Sequence, residues 1–391
     1  MAQTGEGRIL TTHVGSLPRP AAMVELLKKR ESGEPYDRDK FEQALAQAVE
    51  DVVVRQVAAG VDIVNDGEMG KPSYSTYIQE RLSGFGPVPE SEWPPEQHRE
   101  HESFPAYFQR GGAGRGPDTR RKLGCVGEIK LQNDEPLRRD IVNLTNAAAK
   151  AKPHRLFMSA ASPGVVARFH PNFYYPSGEE YRRAVGEAMQ QEYEAIASAG
   201  FMLQVDCPDL ASGRNTVFAG LTDEEFLRES EISVEILNHA LRNVPTDRIR
   251  LHLCWGNYEG PHIHDIPIEK ILPVVLKAKA GVLSFEGANP RHEHEWEVWK
   301  RVRLPQDMSI MPGVIDSLTN FVEHPELVAQ RLCRYADLVG RDRVIGAVDC
   351  GFETFAGTGR VDPTIVFVKL KALAEGARLA SRRLWPGTGS A

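Results

Sequence analysis

The sequence predicts an α/β protein whose fold class is a (β/α)₈ barrel with an insertion after the second strand. Short apolar or β-branched runs occur eight times along the chain, with amphipathic helical stretches between them. The length of 391 residues suits such a barrel, which commonly contains about 250 residues and extends past about 400 with insertions. The main alternative is an open, doubly wound sheet. No G-x-G-x-x-G motif follows an early strand, so the dinucleotide-binding form of that sheet is disfavoured.

Strands and helices alternate in chain order. The predicted strands cover residues 9–16, 61–68, 156–159, 202–206, 249–254, 282–286, 309–315 and 344–350. Amphipathic spacing predicts helices that include residues 37–59, 178–199, 222–242, 268–280 and 325–339. Gly340 follows the last of these stretches, as is common at a helix end. The alternation favours parallel strands inside a ring of helices.

A long segment after the second strand breaks this alternation. Residues 83–121 contain GFGPVPESEWPPE and RGGAGRGPDTRR, which are rich in Pro, Gly and charged residues and indicate a loop rather than a helix. A short strand over residues 123–130 is expected to return the chain to the barrel. We therefore expect one barrel domain over residues 1–391, with a loop or hairpin insertion at about 83–131 that forms a binding loop at the barrel mouth.

Composition and charge exclude several classes of protein. Hydrophobic residues make up 41% and charged residues 26%, which is typical of a folded domain rather than a disordered chain. The formal charge of -7 gives no general attraction to nucleic acid or to anionic lipid. The longest apolar runs, such as 271–276, are far shorter than the roughly 20 residues of a membrane helix. The N-terminal MAQTGEGRIL does not resemble a secretory signal, so a cytoplasmic location is expected.

Four residues at predicted strand ends can ligate a metal. His252 and Cys254 are two apart on one strand, so their side chains point to the same face. Glu286 ends the next strand and Cys350 ends the last. Barrel enzymes build their active sites at this C-terminal rim, and one imidazole, two thiolates and one carboxylate make a donor set that favours Zn²⁺. The sequence therefore predicts a zinc site at the barrel mouth.

The five cysteines also have a simpler interpretation. A single Cys near a strand end is more often a small buried apolar group than a ligand. Their odd number and scattered positions argue against a disulfide framework. The common rim location of His252, Cys254 and Cys350 favours a metal site for these residues, whereas Cys125, Cys207 and Cys333 lack such partners and are interpreted as structural.

Several motifs together resemble one protein family. They are TTHVGSLPRP, VNDGEMGK, LQVDCPDL, HLCWGN, SFEGANP and VDCGFET, and they extend over most of the chain. They resemble the cobalamin-independent methionine synthases, specifically their C-terminal zinc-bearing barrel and the stand-alone proteins that consist of that barrel. The resemblance implies that His252, Cys254, Glu286 and Cys350 bind zinc. It also implies that the zinc holds homocysteine sulfur as thiolate, which attacks a methyl group of folate.

The same resemblance implies an amino-acid-binding site. Gly15, Ser16, Glu68 and Asp206 match the family's residues for this role. Two carboxylates suit a substrate ammonium group. The alternative is that they form hydrogen bonds that stabilise the barrel mouth, because Asp and Glu are rarely buried without a partner.

The methyl-donor side departs from the family pattern. The chain has no room for the second, N-terminal barrel of the full-length synthase, and the Trp that stacks on the pterin has no counterpart in SPGVVARFHPNF. The family's assisting histidine is replaced around Ser317 and Leu318. We therefore expect a zinc-dependent thiol alkyltransferase, most simply a methyltransferase. Methylcobalamin, methyltetrahydrofolate and an epoxide are all candidate alkyl donors.

Related stand-alone barrels include the epoxyalkane:coenzyme M transferases, in which the thiolate opens an epoxide. That reaction, or a carbon–sulfur lyase reaction, needs a proton donor. The predicted catalytic candidates are His13, His292 and His294, with His262 and His264 nearby in sequence. Residues 261–265 and 291–295 can instead be a charged surface. An inactive zinc barrel that only binds ligands is a further alternative, and the oligomeric state stays open.

Overall fold

The computed structural model describes residues 6–95, 97–110 and 121–386. Within these residues, eight parallel strands form one sheet. They are β1 (Leu10–Thr11), β2 (Ile63–Val64), β3 (Arg155–Ala161), β4 (Met202–Asp206), β5 (Ile249–His252), β6 (Val282–Phe285), β7 (Ser309–Ile315) and β8 (Ile345–Val348). All eight lie where the sequence predicts strands.

The sheet curves until its first two strands meet. Its order is β1-β8-β7-β6-β5-β4-β3-β2, and each neighbouring pair is parallel. Thr12 then pairs with Ile63 in a parallel bridge, and the Asp62 amide donates to the Thr11 carbonyl at 3.2 Å. These contacts link β1 to β2 and close the ring. The predicted (β/α)₈ barrel is thus confirmed.

The first two strands are shorter than predicted. β1 and β2 contain two residues each, although the apolar patterns extend over 9–16 and 61–68. The remaining residues bend into the barrel mouth, where Gly15 has φ of 143° and Glu68 has φ of 59°. A positive φ is incompatible with strand geometry, so these strands end at the backbone bends although the apolar pattern of the sequence continues.

Helices surround the sheet. They are Ala21–Ser32, Arg38–Ala58, Glu135–Ala151, Pro163–Phe169, Gly178–Ser198, Asp223–Ala240, Ile268–Val275, Pro325–Val339 and Pro363–Leu384. The Thr222 side chain and Glu225 form a reciprocal capping box, which fixes the start of one helix. Across the described segments, no helix is both long enough and apolar enough to cross a membrane.

Two apolar cores hold the barrel. The larger one lies between strands and helices, and a smaller cluster fills the barrel interior with Leu10, Ile63, Phe157, Val282, Met311, Ile345 and Ala347. Above this cluster, the buried Arg250 guanidinium donates to Gln204 Oε1 at 2.8 Å and to Thr12 Oγ1 at 3.0 Å. It also lies 3.5 Å from the centroid of the Phe157 ring. The barrel interior below the mouth is therefore filled by side chains.

The insertion contains more regular structure than the sequence indicates. Strand Phe85–Gly86 pairs antiparallel with Gly124–Cys125, so the predicted return strand over 123–130 is shortened to two residues. Two short helices, Arg99–Ser103 and Pro105–Gln109, occur where only loop is expected. Pro105 begins the second helix at a position that proline favours. Most of RGGAGRGPDTRR lies at 111–120, outside the described residues.

Candidate metal and substrate site

A cavity of about 1310 Å³ opens at the carboxyl ends of the strands. Its barrel side is lined by Ser16, Glu68, Asp206, His252, Cys254 and Cys350. Its outer side is lined by residues of the insertion, including Trp93, His98, His101 and Phe108. The strand ends therefore bring the predicted metal ligands and the predicted amino-acid site into one space, together with a wall that the barrel itself does not supply.

Three of the four predicted ligands form a compact group. One ligand atom from each of His252, Cys254 and Cys350 lies within 4.8 Å of the others, and all three residues are buried. The two Sγ atoms are 3.6 Å apart. His252 Nδ1 lies 3.2 Å from Ser284 Oγ, while Nε2 is buried and has no hydrogen-bond partner in the described part of the chain. One unpartnered imidazole nitrogen beside two thiols is a donor set that fits a tetrahedral Zn²⁺ site.

The protonation states of this group reflect its burial. Burial, with a smaller contribution from Arg250, lowers the pKa of His252 to about 3, so the imidazole is neutral and its nitrogen lone pair can coordinate a cation. The hydrogen bond with Cys350, followed by burial, raises the pKa of the Cys254 thiol well above its usual value. A divalent cation between the sulfurs would reverse that effect, because coordination deprotonates thiols.

Glu286, the fourth predicted ligand, lies beside Cys254 but outside the three-residue group. Its Oε1 accepts the Trp255 backbone N–H at 2.8 Å, and its Oε2 accepts from Asn289 Nδ2 at 2.8 Å. Burial, then the nearby Cys254, raises the pKa of this carboxyl well above its usual range. Its role as a ligand stays a prediction, and its present contacts hold it next to the loop after Cys254.

Asp349 connects two of the loops that carry these residues, and sequence analysis did not identify it. Its Oδ1 accepts the backbone N–H groups of Gly287 and Ala288 at 2.8 Å each, and its Oδ2 accepts that of Asn289 at 2.9 Å. Asp349 thereby fixes the loop after Glu286 relative to the strand end that bears Cys350. Its position directly before Cys350 in VDCGFET was the available signal.

The predicted amino-acid-binding residues surround one part of the cavity, where two carboxyl groups lie close together. Glu68 Oε1 accepts from Ser159 Oγ at 2.7 Å, whereas Oε2 is buried without a partner in residues 6–95, 97–110 and 121–386. Burial, with the neighbouring Glu68 as the next cause, raises the pKa of Asp206 to about 8. A Cβ on Gly15 would lie 2.5 Å from Glu68 Oε1, so a glycine is needed there. These carboxylates can accept a cationic group.

More than half of the chain matches one family of known proteins. The model of the family described as "Cobalamin-independent synthase, Catalytic domain" matches residues 9–94 and 177–368. The second range contains all three residues of the compact group and Glu286.

The chain belongs to this family of cobalamin-independent synthase catalytic domains. The predicted resemblance is thus confirmed. Among its relatives, the methionine synthase of Sulfolobus acidocaldarius is 24% identical over 346 residues, which cover 88% of this chain and 85% of the relative. The methionine synthase of Thermococcus kodakarensis is 24% identical over 385 residues, covering 96% and 94% of the two chains.

Solved structures of similar proteins have the same fold. A B12-independent methionine synthase from Shewanella, in complex with selenomethionine, superposes with a TM-score of 0.69 at 19% identity and covers 96% of this chain and 99% of its own. A putative vitamin-B12-independent methionine synthase from Listeria monocytogenes superposes with a TM-score of 0.65 at 16% identity, covering 95% and 98%. At these identities the likeness concerns the barrel fold of the cobalamin-independent family.

The predicted catalytic histidines do not line the cavity. His13 Nε2 donates to Gln56 Oε1 at 2.7 Å, and burial lowers the pKa of His13 to about 3. His292 lies behind Trp255, with ring centroids 4.3 Å apart. Although burial opposes it, hydrogen bonds to Asp265 and Glu295 raise the pKa of His292 to about 10. His294 is exposed on the 3₁₀ segment Glu293–Lys300. Their catalytic role stays a prediction.

Other histidines occupy the cavity wall. Among the residues that the structure describes, His98, His101 and His252 line the cavity. His98 and His101 belong to the insertion, and no family motif or metal-ligand spacing marks them in the sequence.

The residues that replace the family's assisting histidine are at least partly buried. Ser317 is buried and its Oγ donates to Asn257 Oδ1 at 3.4 Å, while Leu318 is half-buried.

Proposed function

We propose that this protein transfers a methyl group to the sulfur of homocysteine and that Zn²⁺ is its metal. The observation that carries the proposal is the convergence of His252, Cys254 and Cys350, with an unpartnered imidazole nitrogen, in the cavity of a chain from the cobalamin-independent synthase family. The relatives named methionine synthase support it, because they cover nearly the whole chain.

The metal would be held by His252, Cys254 and Cys350, with Glu286 as the fourth protein ligand. When bound, zinc would lower the pKa of the substrate thiol, so that the thiolate nucleophile is available near neutral pH. The protein residues bind and orient the amino acid. Glu286 is hydrogen-bonded to Trp255 and Asn289, so its carboxyl group would have partners whether or not it also ligated the metal.

Glu68 and Asp206 would hold the substrate ammonium group. The unpartnered Glu68 Oε2 is available to accept a hydrogen bond from it. A bound cation also favours the ionised form of Asp206, whose pKa is otherwise raised by burial. Ser16 Oγ lies in the same part of the cavity and can donate to the substrate carboxylate. With its ammonium and carboxylate groups bound in this way, the amino acid would point its thiol toward His252, Cys254 and Cys350.

Methyltetrahydrofolate is the donor we propose first. The family is described as cobalamin-independent, which argues against methylcobalamin. Methyl transfer breaks the bond between the methyl carbon and its nitrogen, and the electron pair stays on the nitrogen, which then takes a proton. An epoxide would need the same kind of proton donor at its oxygen. Both reactions would therefore need a proton donor close to the atom from which the alkyl group departs.

The test is a matrix of thiols and donors with purified zinc-loaded protein. Homocysteine and coenzyme M are each combined with methyltetrahydrofolate, methylcobalamin and epoxypropane, and mass spectrometry identifies the thioether product. We expect methionine from homocysteine and methyltetrahydrofolate. Alkylated coenzyme M from epoxypropane, without any methionine, would replace the proposal with epoxide transfer. Full activity in rigorously metal-free protein would remove the metal from the mechanism.

A further inference from the structure

We propose that the insertion determines which alkyl donor the site accepts, through a wall formed by His98, His101 and Phe108. The inference rests on the proposed function, because it assigns the donor half of the same cavity. These three residues are called the insertion wall below. His98 directly precedes the short helix Arg99–Ser103, which contains His101, and Phe108 lies in the short helix Pro105–Gln109.

The cavity has room for two substrates. Its volume of about 1310 Å³ is larger than the roughly 300–1,000 Å³ of a typical site for one small molecule. The predicted amino-acid site and the metal group occupy the strand ends, and the insertion wall lines the same cavity from outside. A donor must have its alkyl group next to the incoming sulfur, so the rest of the donor extends toward the insertion wall.

The insertion wall is a packed group of rings. The His98 and His101 rings are stacked with centroids 4.3 Å apart and an interplanar angle of 11°. The His101 and Phe108 centroids are 4.1 Å apart. His98 also contacts Tyr258, with centroids 5.6 Å apart in an edge-to-face arrangement. Such rings hold a ligand by stacking and by removing apolar surface from water.

The insertion is attached to the loop that follows Cys254. Glu100 is completely buried and accepts the His264 backbone N–H at 3.0 Å. Ser103 Oγ lies 2.7 Å from His264 Nε2, and the Tyr107 hydroxyl donates to the Glu259 carbonyl at 2.7 Å. The wall is therefore held at a defined position relative to the strand that carries His252, as a specificity element must be.

The two halves of the cavity differ in whether the family model matches their residues. The family model matches residues 9–94 and 177–368, which include the metal group and the predicted amino-acid site. His98, His101 and Phe108 all lie in the unmatched residues between these ranges. The residues that would handle the thiol thus lie in the part of the chain that the family model matches, whereas the insertion wall lies outside it. The insertion wall is therefore the part of the cavity to which we assign donor preference.

Two substitutions with matched controls test the inference. We compare Phe108→Ala and His101→Ala with Phe321→Ala and His239→Ala, which make the same changes at exposed positions outside the cavity. Phe108→Leu is added because it removes the ring and keeps apolar volume. Calorimetry measures the Kd of methyltetrahydrofolate, methylcobalamin, epoxypropane and homocysteine for each zinc-loaded protein. Zinc content is measured in parallel.

We expect the wall variants to weaken binding of the preferred donor by about three- to tenfold, the range of one lost ring contact. Zinc content and homocysteine Kd should stay unchanged, as should all values for the controls. Unchanged donor Kd in the three wall variants, or no donor binding by the wild type, overturns the inference. If donor binding depends on Phe108 but no thioether product forms, the inference about the insertion wall is supported and the proposed function is wrong.

Discussion

Cys254 Sγ and Cys350 Sγ lie 3.6 Å apart, although 96 residues separate them in the sequence. They follow β5 and β8, which are not neighbours in the sheet. The contact exists because the closed barrel brings the carboxyl ends of its strands to one rim. With His252 Nε2 unpartnered beside them, the two sulfurs define a point where a soft divalent cation can be held by three protein atoms.

Removing one of these ligands should remove the metal. We expect Cys350→Ser and His252→Ala to lower zinc affinity by at least about 100-fold, since even partners of metal ligands cost about 10- to 100-fold when changed. Methionine formation should fall in proportion to bound zinc. The measurements are metal content after dialysis against a chelator and single-turnover product formation.

Cys333→Ser is the control for this pair. Cys333 is half-buried on helix Pro325–Val339 and does not line the cavity. It should keep both zinc and activity. Tight zinc binding by Cys350→Ser at the level of the control would contradict the assignment.

Glu68→Gln should weaken homocysteine binding without affecting the metal. The change preserves the acceptor for Ser159 Oγ but removes the negative charge that we propose binds the substrate ammonium. Loss of a hydrogen bond to a charged group costs about 1.5–3 kcal/mol, which corresponds to a rise in KM for homocysteine of about 10- to 150-fold. Steady-state kinetics at varied homocysteine would measure it. Glu224→Gln, at an exposed helix position, is the matched control, and an equal KM in both variants would contradict the role of Glu68.

The metal group could be predicted from sequence, whereas the insertion wall could not. His252 ends β5, and Cys254 and Cys350 lie two residues beyond the ends of β5 and β8, so the strand repeat of the barrel is enough to bring them to one rim. His98 and His101 reach the cavity because long-range contacts attach the insertion to the loop after Cys254, for example the hydrogen bond from the His264 amide to Glu100 across 164 residues. No local periodicity encodes such a pairing. The same reason explains why Asp349 was missed, since its partners lie 60 to 62 residues away.

Asp66 should make stability depend on pH. Burial, opposed by Lys71, raises its pKa from 3.8 to about 6 in the folded protein. The native state therefore binds more protons than the unfolded chain between these values, and stability falls as pH rises through this window. Asp66→Asn removes this dependence and keeps an oxygen that can accept the Glu68 amide.

The expected gain of Asp66→Asn over the wild type grows between pH 4 and 7 to about 3 kcal/mol, from two pKa units at 1.36 kcal/mol each. Urea unfolding of both proteins in the presence of a chelator measures the difference, because metal loss at acidic pH then makes no contribution. Asp39→Asn, at an exposed helix position, is the matched control for the loss of one carboxyl group. A constant difference across this range would contradict the raised pKa.

Gly313→Ala should disturb the metal group indirectly, through Asp349. A Cβ there would lie 2.0 Å from Asp349 Oδ1 and 2.8 Å from its Cα, and the backbone atom cannot move away as a flexible side chain could. Asp349 must shift, so its hydrogen bonds to Gly287 and Ala288 weaken and the Cys350 strand end moves with it. We expect a loss of about 1–3 kcal/mol in the free energy of unfolding, the usual cost of overpacking, together with weaker zinc binding.

Chemical unfolding and zinc titration of the same preparations measure both effects. Gly178→Ala is the control because no atom lies within 4 Å of its added Cβ, and its free energy of unfolding and zinc affinity should match those of the wild type. A Gly313→Ala protein that loses stability but binds zinc normally would show that Asp349 does not position the Cys350 end of the site. Loss of both in Gly313→Ala alone would show that the loop after Glu286 and the end of β8 act as one support for the metal.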